Sequence, residues 1–272
     1  RKSYISRLHT LQAKTSEVEK TLSREGTYEF AGLELTGDNR IPSALFEEVA
    51  GQTQALYRFE IDWLPGFFID PKFSWLFAGC AFYFYPEFFA LFIIRKSFAR
   101  RARWLIYNRS ELLAHELCHV ARAGLHSAKF EETFAYRTST STFRRQIGGL
   151  FRRPRDSFLL LGTTFLLLLV QILRTVWLLP VPVAPFWALV ASVVVFLGGR
   201  HMWYQRQLAR ARHHLSLLGH VSPHAALFRS TDDEIQTIAR FQDEIRLREW
   251  LEQKRNKEPR WQVICSRFLP SV

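Results

Sequence analysis

Five residues, His115-Glu116-Leu117-Cys118-His119, combine two imidazoles and a carboxylate at a spacing that can do metal chemistry. Side chains four apart on a helix project from the same face, one turn apart. His115 and His119 can therefore both reach one zinc ion at about 2.0–2.1 Å. Glu116 sits about 100° round the helix from His115, where its carboxylate reaches a metal-activated water rather than the metal. The chemistry such a set supports is hydrolysis, with Glu116 taking the proton from water and passing it to a leaving group. The pattern is short enough to arise by chance, so the surrounding elements carry the argument.

Those elements favour a real site. Leu112, Leu113, Ala114, Leu117, Cys118 and Val120 make the helix apolar around the motif, as a helix beneath a cleft requires. Asn108 and Glu111 have the spacing of an N-cap and its N3 partner, and Gly124 offers a stop. A catalytic zinc needs a third protein ligand and an open fourth position. Glu131 and Glu132, twelve and thirteen residues beyond His119, are the candidates, on a helical run predicted over 127–145.

With Glu132-Thr133-Phe134-Ala135 in place, the sequence resembles the gluzincins, zinc peptidases whose third ligand is a glutamate on the next helix. It looks most like their membrane-bound branch, of the heat-shock protease and CAAX-prenyl endopeptidase type, and like small gluzincins with a minimal catalytic domain. In that branch the third ligand opens Glu-x-x-Ala-Asp, so the resemblance implies Glu132 rather than Glu131. Tyr136 stands where the branch has Asp. That leaves the carboxylate that usually backs a histidine ligand unassigned; Glu111, one turn before His115, either substitutes for it or forms a surface pair. The likeness spans roughly residues 75–140, plus a membrane hairpin by arrangement.

The resemblance implies zinc-dependent cleavage of peptide bonds, with Glu116 as general base. An oxyanion-stabilising donor is also expected, and Tyr136, His126, His213, His214, His220 and His224 are the open candidates. Substrate would lie as an added strand beside a small sheet, and a strand within 78–95 is well placed for that.

The remaining elements must position these groups. A surface helix is predicted over 3–23, a strand over 27–35, a turn at 37–39, a helix over 43–57 and a strand over 57–64. The apolar, aromatic run 73–94 is long enough to cross a bilayer, but Pro86 and Glu87 favour a broken pair of buried strands. Residues 95–104 read as a basic turn or helix. Residues 157–179 and 180–199 are almost unbroken apolar sequence with only Arg174 charged. They predict two spans, 157–179 and 183–199, joined by a Pro-rich reversal. Beyond them a helix continues over 201–218, another runs from an N-cap at Ser230 or Thr231 to Leu251, and 260–269 reads as a strand.

The formal net charge is +12, which by itself suits nucleic acid or anionic lipid. Arg144, Arg145, Arg152, Arg153 and Arg155 precede the hairpin, and Arg200, Arg206, Arg210 and Arg212 follow it. This distribution favours membrane lipid over nucleic acid and puts the catalytic domain and both hairpin ends on the cytoplasmic side. Three scattered cysteines suit no disulfide framework. The first residue is Arg, which is expected of a trimmed terminus, and no signal-peptide pattern is visible.

The fold expected is α+β: an N-terminal helix and strand region (1–60), a small zincin-like catalytic domain (61–150), a transmembrane helical hairpin (151–200) and a soluble, mainly helical C-terminal region (201–272). The expected partners are a peptide or protein substrate and membrane lipids. The alternatives are a non-catalytic membrane-anchored adaptor, or degenerate protease homologue, and a basic membrane-bound nucleic-acid binder. The last lacks a basic-aromatic module.

Overall fold

A computed structural model describes residues 2–30, 32–61, 64–70, 78–84, 89–125, 127–219 and 221–269. It is mixed α+β, mostly helical, with small sheets. The chain opens with α1 (Lys2–Glu25), then β1 (Thr27–Phe30), β2 (Leu33–Thr36) and α2 (Ser43–Tyr57). The single strand expected over 27–35 is instead an antiparallel hairpin. Gly32, at φ 75°, takes the left-handed conformation that lets the chain reverse there.

Arg58, also left-handed at φ 57°, ends α2, and the strand expected over 57–64 does not form among its described residues. Phe59 and Ile61 pack onto the core from irregular backbone, so their alternation needs no ladder. The strand comes later, as β3 (Gly66–Ile69), whose four residues are all buried. A strand covered on both faces shows no polar alternation, which is why periodicity pointed to the wrong segment.

The described residues of the run 73–94 form strands rather than a spanning helix. β4 (Gly79–Phe84) pairs antiparallel with β5 (Phe89–Arg95), from Gly79 opposite Ile94 to Phe84 opposite Phe89. β3 pairs with β5 in parallel, so the sheet order is β3-β5-β4 and β4 is an edge among the described residues. Pro86 and Glu87, expected at the break, lie outside the described residues. Phe67, Ile69, Leu91 and Ile93 face Val18 of α1 and Leu35 of β2. Phe68, Phe92 and Ile94 face Phe46 and Val49 of α2 and the motif helix.

The basic stretch after β5 holds α3 (Ser97–Arg100) and a small hairpin of β6 (Arg103–Trp104) and β7 (Tyr107–Asn108). The motif helix α4 (Arg109–Arg122) follows at once. The helix expected over 127–145 is two short ones, α5 (Glu131–Tyr136) and α6 (Thr142–Ile147). Hydroxyls explain the break: Thr138 Oγ1 donates to the Ala135 carbonyl at 2.7 Å, and the Ser141 side chain caps α6.

Two helices are long and apolar enough to cross a membrane: α7 (Pro154–Val176) and α8 (Ala184–Ser216). Only 11% and 17% of their apolar windows is buried, whereas the core helix of a water-soluble protein is mostly buried. Phe158, Leu161, Phe165, Val195 and Phe196 are exposed. Asp156, at the start of α7, is ion-paired with Arg200 at 2.6 Å. That pair fixes where α8 leaves its apolar stretch level with the start of α7.

The C-terminal helices α9 (Pro223–Phe228), α10 (Asp232–Ile238), α11 (Glu244–Lys257) and α12 (Pro259–Phe268) pack with the lower half of α8 around the fully buried Trp261. Two expectations are corrected here. The helix predicted from Ser230 to Leu251 divides into α10 and α11, because the Asp243 side chain caps a new start at the Ile245 N–H. The strand predicted over 260–269 is α12. Pro259 occupies its first turn and Trp261, Ile264, Cys265 and Phe268 are buried at helical spacing.

Candidate metal centre

α4 is built to be held on two sides. The Asn108 side chain accepts from the Ser110 N–H at 2.9 Å and starts the helix. Leu112, Leu113, Ala114 and Leu117 pack against the sheet and α2, while Cys118 enters the core formed with the C-terminal helices. At Gly79 of β4 a Cβ would lie 2.7 Å from Ile94 Cγ2 and 3.0 Å from Leu112 Cδ2. Only glycine lets the motif helix sit this close to the edge strand.

On the remaining face of α4 the ligand atoms of His115, His119 and Glu132 all lie within 4.8 Å of one another. His115 Nε2 and His119 Nε2 are 3.2 Å apart. Each lies 3.6 Å from an oxygen of Glu132. The edge of a tetrahedron about zinc is about 3.3 Å for bonds of roughly 2.0–2.1 Å, so these separations fit one ion. Two imidazoles and a carboxylate are also a donor set that zinc accepts in catalytic sites.

Protonation suits that role in part. Burial, with His119 and Arg144 nearby, pushes the His115 pKa down to about 3, leaving a neutral ring. Burial also lowers that of His119, but the Glu131 hydrogen bond and the Glu132 and Glu116 carboxylates more than offset it. Glu132 is raised by burial against the pull of His119. A dication among these groups would favour deprotonated ligands throughout.

Glu131 is not one of the three clustered residues. It accepts from His119 Nδ1 at 3.3 Å, and its other oxygen accepts from Arg122 Nε at 2.9 Å. The carboxylate behind a histidine, left unassigned by Tyr136, is thus supplied by Glu131. Glu111 takes neither of its expected parts. It is buried, and it accepts from Ser139 Oγ (2.8 Å), the Thr140 N–H (2.9 Å), the Thr140 hydroxyl and Arg144 (3.1 Å). These hydrogen bonds outweigh burial and hold its pKa down.

A cleft of about 310 Å³ opens beside the cluster. Glu116, His115 and Tyr136 line it with Gly79 of the edge strand, Tyr107, Glu111 and Arg144. The Tyr136 ring meets His115 edge-on at 4.6 Å, and burial, with the nearby Glu132, raises its pKa, so the hydroxyl keeps its proton. Gly148 makes this packing possible, because a Cβ there would fall 2.1 Å from Tyr136 Cγ. Of the other expected donors, His214 Nδ1 donates to the Ile238 carbonyl and His224 lies against Arg137. His213 is exposed on α8; none of the three lines the cleft. His126 and His220 lie outside the described residues.

Three contributors were not anticipated. Arg122 is fully buried, three residues past His119, and binds Glu131, Ser127 Oγ (2.9 Å) and the Phe228 carbonyl. Its signal was a charge on the inner face of an otherwise apolar helix. Asp232 accepts from Ser127 Oγ and from the N–H groups of Ala128 and Lys129 at 2.7–2.8 Å, fixing the turn that leads into Glu131 and Glu132. Arg144 was counted with the membrane-flanking basic residues, yet it reaches the cleft. Nothing in the spacing of Asp232 or Arg144 announces these contacts. Compared with known protein families, curated proteins and solved structures, the chain gives no match.

Proposed function

We propose that the chain is a membrane-anchored zinc metallopeptidase of gluzincin type, with a small zincin-like catalytic domain. The observation that carries this reading is the convergence of His115, His119 and Glu132 beside a cleft that Glu116 also lines. His115, His119 and Glu132 would hold the zinc. When bound, zinc polarises the scissile carbonyl and lowers the pKa of water towards neutrality.

The chain's own groups supply the rest. Glu116 takes the proton of the attacking water and delivers it to the leaving amine. Tyr136, protonated and facing the same cleft, donates a hydrogen bond to the oxygen on which charge develops. Glu131 orients His119 and raises its basicity as a ligand, and buried Arg122 holds Glu131 in turn. β4 pairs only with β5 among the described residues, so its outer edge can take an extended peptide as an added strand. Gly79 puts that edge at the cleft wall.

The membrane part of the reading rests on the exposed apolar surfaces of α7 and α8. Leu105, Ile106, Phe143 and Ile147 are exposed too, next in sequence to Tyr107 and Arg144 of the cleft. They support a cleft mouth at the bilayer surface, on the cytoplasmic side to which the flanking arginines assign both hairpin ends. The substrate is then a peptide segment reached at the interface. The test is cleavage of a mixed peptide library by the purified full chain in detergent, before and after Glu116→Gln. Loss of cleavage in the variant with its zinc retained supports the reading. Cleavage that survives the substitution contradicts it.

A further inference from the structure

A second cavity, of about 560 Å³, lies between α5–α6 and the stretch of α8 that follows Arg200. Arg137, Arg145 and Arg206 line it with Gln146, His201 and Met202, and among the described residues no carboxylate does. Among the described residues none of the three arginines has an ion-pair partner. Arg137 rests instead against the His224 ring at 3.2 Å, which Arg212 also approaches at 3.4 Å. Burial and these two guanidinium groups push His224 down to about 4, so the ring stays neutral and does not add a further cation. Like charges gathered round a concavity cost energy unless an anion occupies it.

His201 forms part of the cavity wall. His201 is 8% exposed. Its Nε2–H donates to the Gln146 carbonyl at 2.5 Å, while its Nδ1 is buried without a partner. With Nε2–H donating, Nδ1 can only accept, and it lies beside Gly149, where a Cβ would come 3.6 Å from it. The cavity begins one residue beyond Arg200, which is pinned to the base of α7 by Asp156, and the exposed Met202 stands at its rim. That is the level at which the phosphates of a bilayer meet the apolar stretch of a spanning helix.

We infer that this cavity is a phosphate-binding site, in which Arg137, Arg145 and Arg206 grip the phosphate of an anionic glycerophospholipid and Met202 meets the start of its acyl region. The site is separate from the metal centre, and only its lipid source depends on α8 crossing a membrane. Arginine suits it because its fork binds two phosphate oxygens at once.

The experiment uses the full chain in phosphatidylcholine nanodiscs with or without a minor fraction of phosphatidylglycerol, read by lipid retention in native mass spectrometry. A parallel arm measures thermal protection in detergent by inorganic phosphate against chloride. The test variant is Arg145→Gln/Arg206→Gln, two exposed positions, and the charge-matched control is Arg101→Gln/Arg210→Gln. Retention of phosphatidylglycerol weakened about tenfold or more in the first and unchanged in the control supports the lipid source. Phosphate protection lost in the same pattern, without lipid retention, supports a soluble phosphate instead. Arg145→Lys/Arg206→Lys keeps the charge and is expected to recover most of the binding, which separates loss of the site from loss of the fold. Equal losses in test and control variants, or no selectivity in either arm, overturn the inference.

Discussion

Glu131 stands 3.3 Å behind His119, accepting its Nδ1 proton, while Glu132 one residue on faces the Nε2 side of the same ring. In the proposed zinc site, adjacent glutamates on α5 would therefore divide the work: one would ligate and the other orient. Glu131→Gln keeps an acceptor but removes the charge, so zinc affinity is expected to fall about 10–100-fold with binding still measurable. Glu132→Gln is expected to reduce it much further. Competition with a chromophoric chelator orders the two, and equal losses would contradict this division of roles.

Asp232 reaches across from α10 to hold the turn before α5 through four donors, the fourth being the Phe130 N–H at 3.3 Å. Asp232→Ala leaves three buried or half-buried N–H groups without their acceptor, at a cost of about 2–4 kcal/mol. Zinc affinity is expected to drop with stability, although Asp232 touches no ligand. Thermal unfolding with and without zinc checks it, and a stability loss with unaltered zinc affinity would sever the C-terminal helices from the site.

Much of this was readable in the residues, and the misses share a cause. The motif helix, its Asn108 cap and the apolar hairpin follow local rules, so spacing alone located them. β3 and α12 were misplaced because their signals are tertiary: β3 is buried on both faces, and α12 shows its period only once Trp261 is known to point inward. At the site, His115 and His119 were legible from motif spacing, and Glu132 only by its resemblance to the Glu-x-x-Ala-Asp pattern. The carboxylate behind His119 was not, since Glu131 and Glu132 differ only in which side of α5 meets the ring. Arg122 and Asp232 act across more than a hundred residues of chain, a separation that no local pattern encodes.

Tyr136→Phe keeps the ring on His115 and removes the proposed donor. Turnover is expected to fall on the order of 10²-fold with zinc affinity unchanged. Gly148→Ala forces the same ring to move, so it is expected to lower turnover and also to destabilise by about 1–3 kcal/mol. Steady-state kinetics beside zinc titration reads both; full activity in Tyr136→Phe would remove Tyr136 from the mechanism.

Glu234 ties α10 to α12. It accepts from Trp261 Nε1 at 2.7 Å and from Arg260 at 2.6 Å, and it closes a capping box with Thr231. Burial opposes its charge, but these bonds to Arg260, Trp261 and Thr231 prevail and hold its pKa down at about 2, against an ordinary 4.5. A depressed carboxylate stabilises the fold above its unfolded value and loses that contribution as pH falls through the folded one. Glu234 should therefore contribute on the order of 3 kcal/mol above about pH 4.5, declining towards pH 2. The difference in unfolding free energy between the wild type and Glu234→Gln should shrink across that window. A difference independent of pH would contradict the assignment.

The central claim is that His115, His119 and Glu132 hold one zinc ion. Its most direct test is the metal content of the full chain, purified in detergent and dialysed against buffered trace zinc, by elemental mass spectrometry. The account predicts one zinc per chain in the wild type and in Glu116→Gln, and almost none in His115→Ala or His119→Ala. No bound zinc in the wild type, or the same content in the histidine variants, would contradict it.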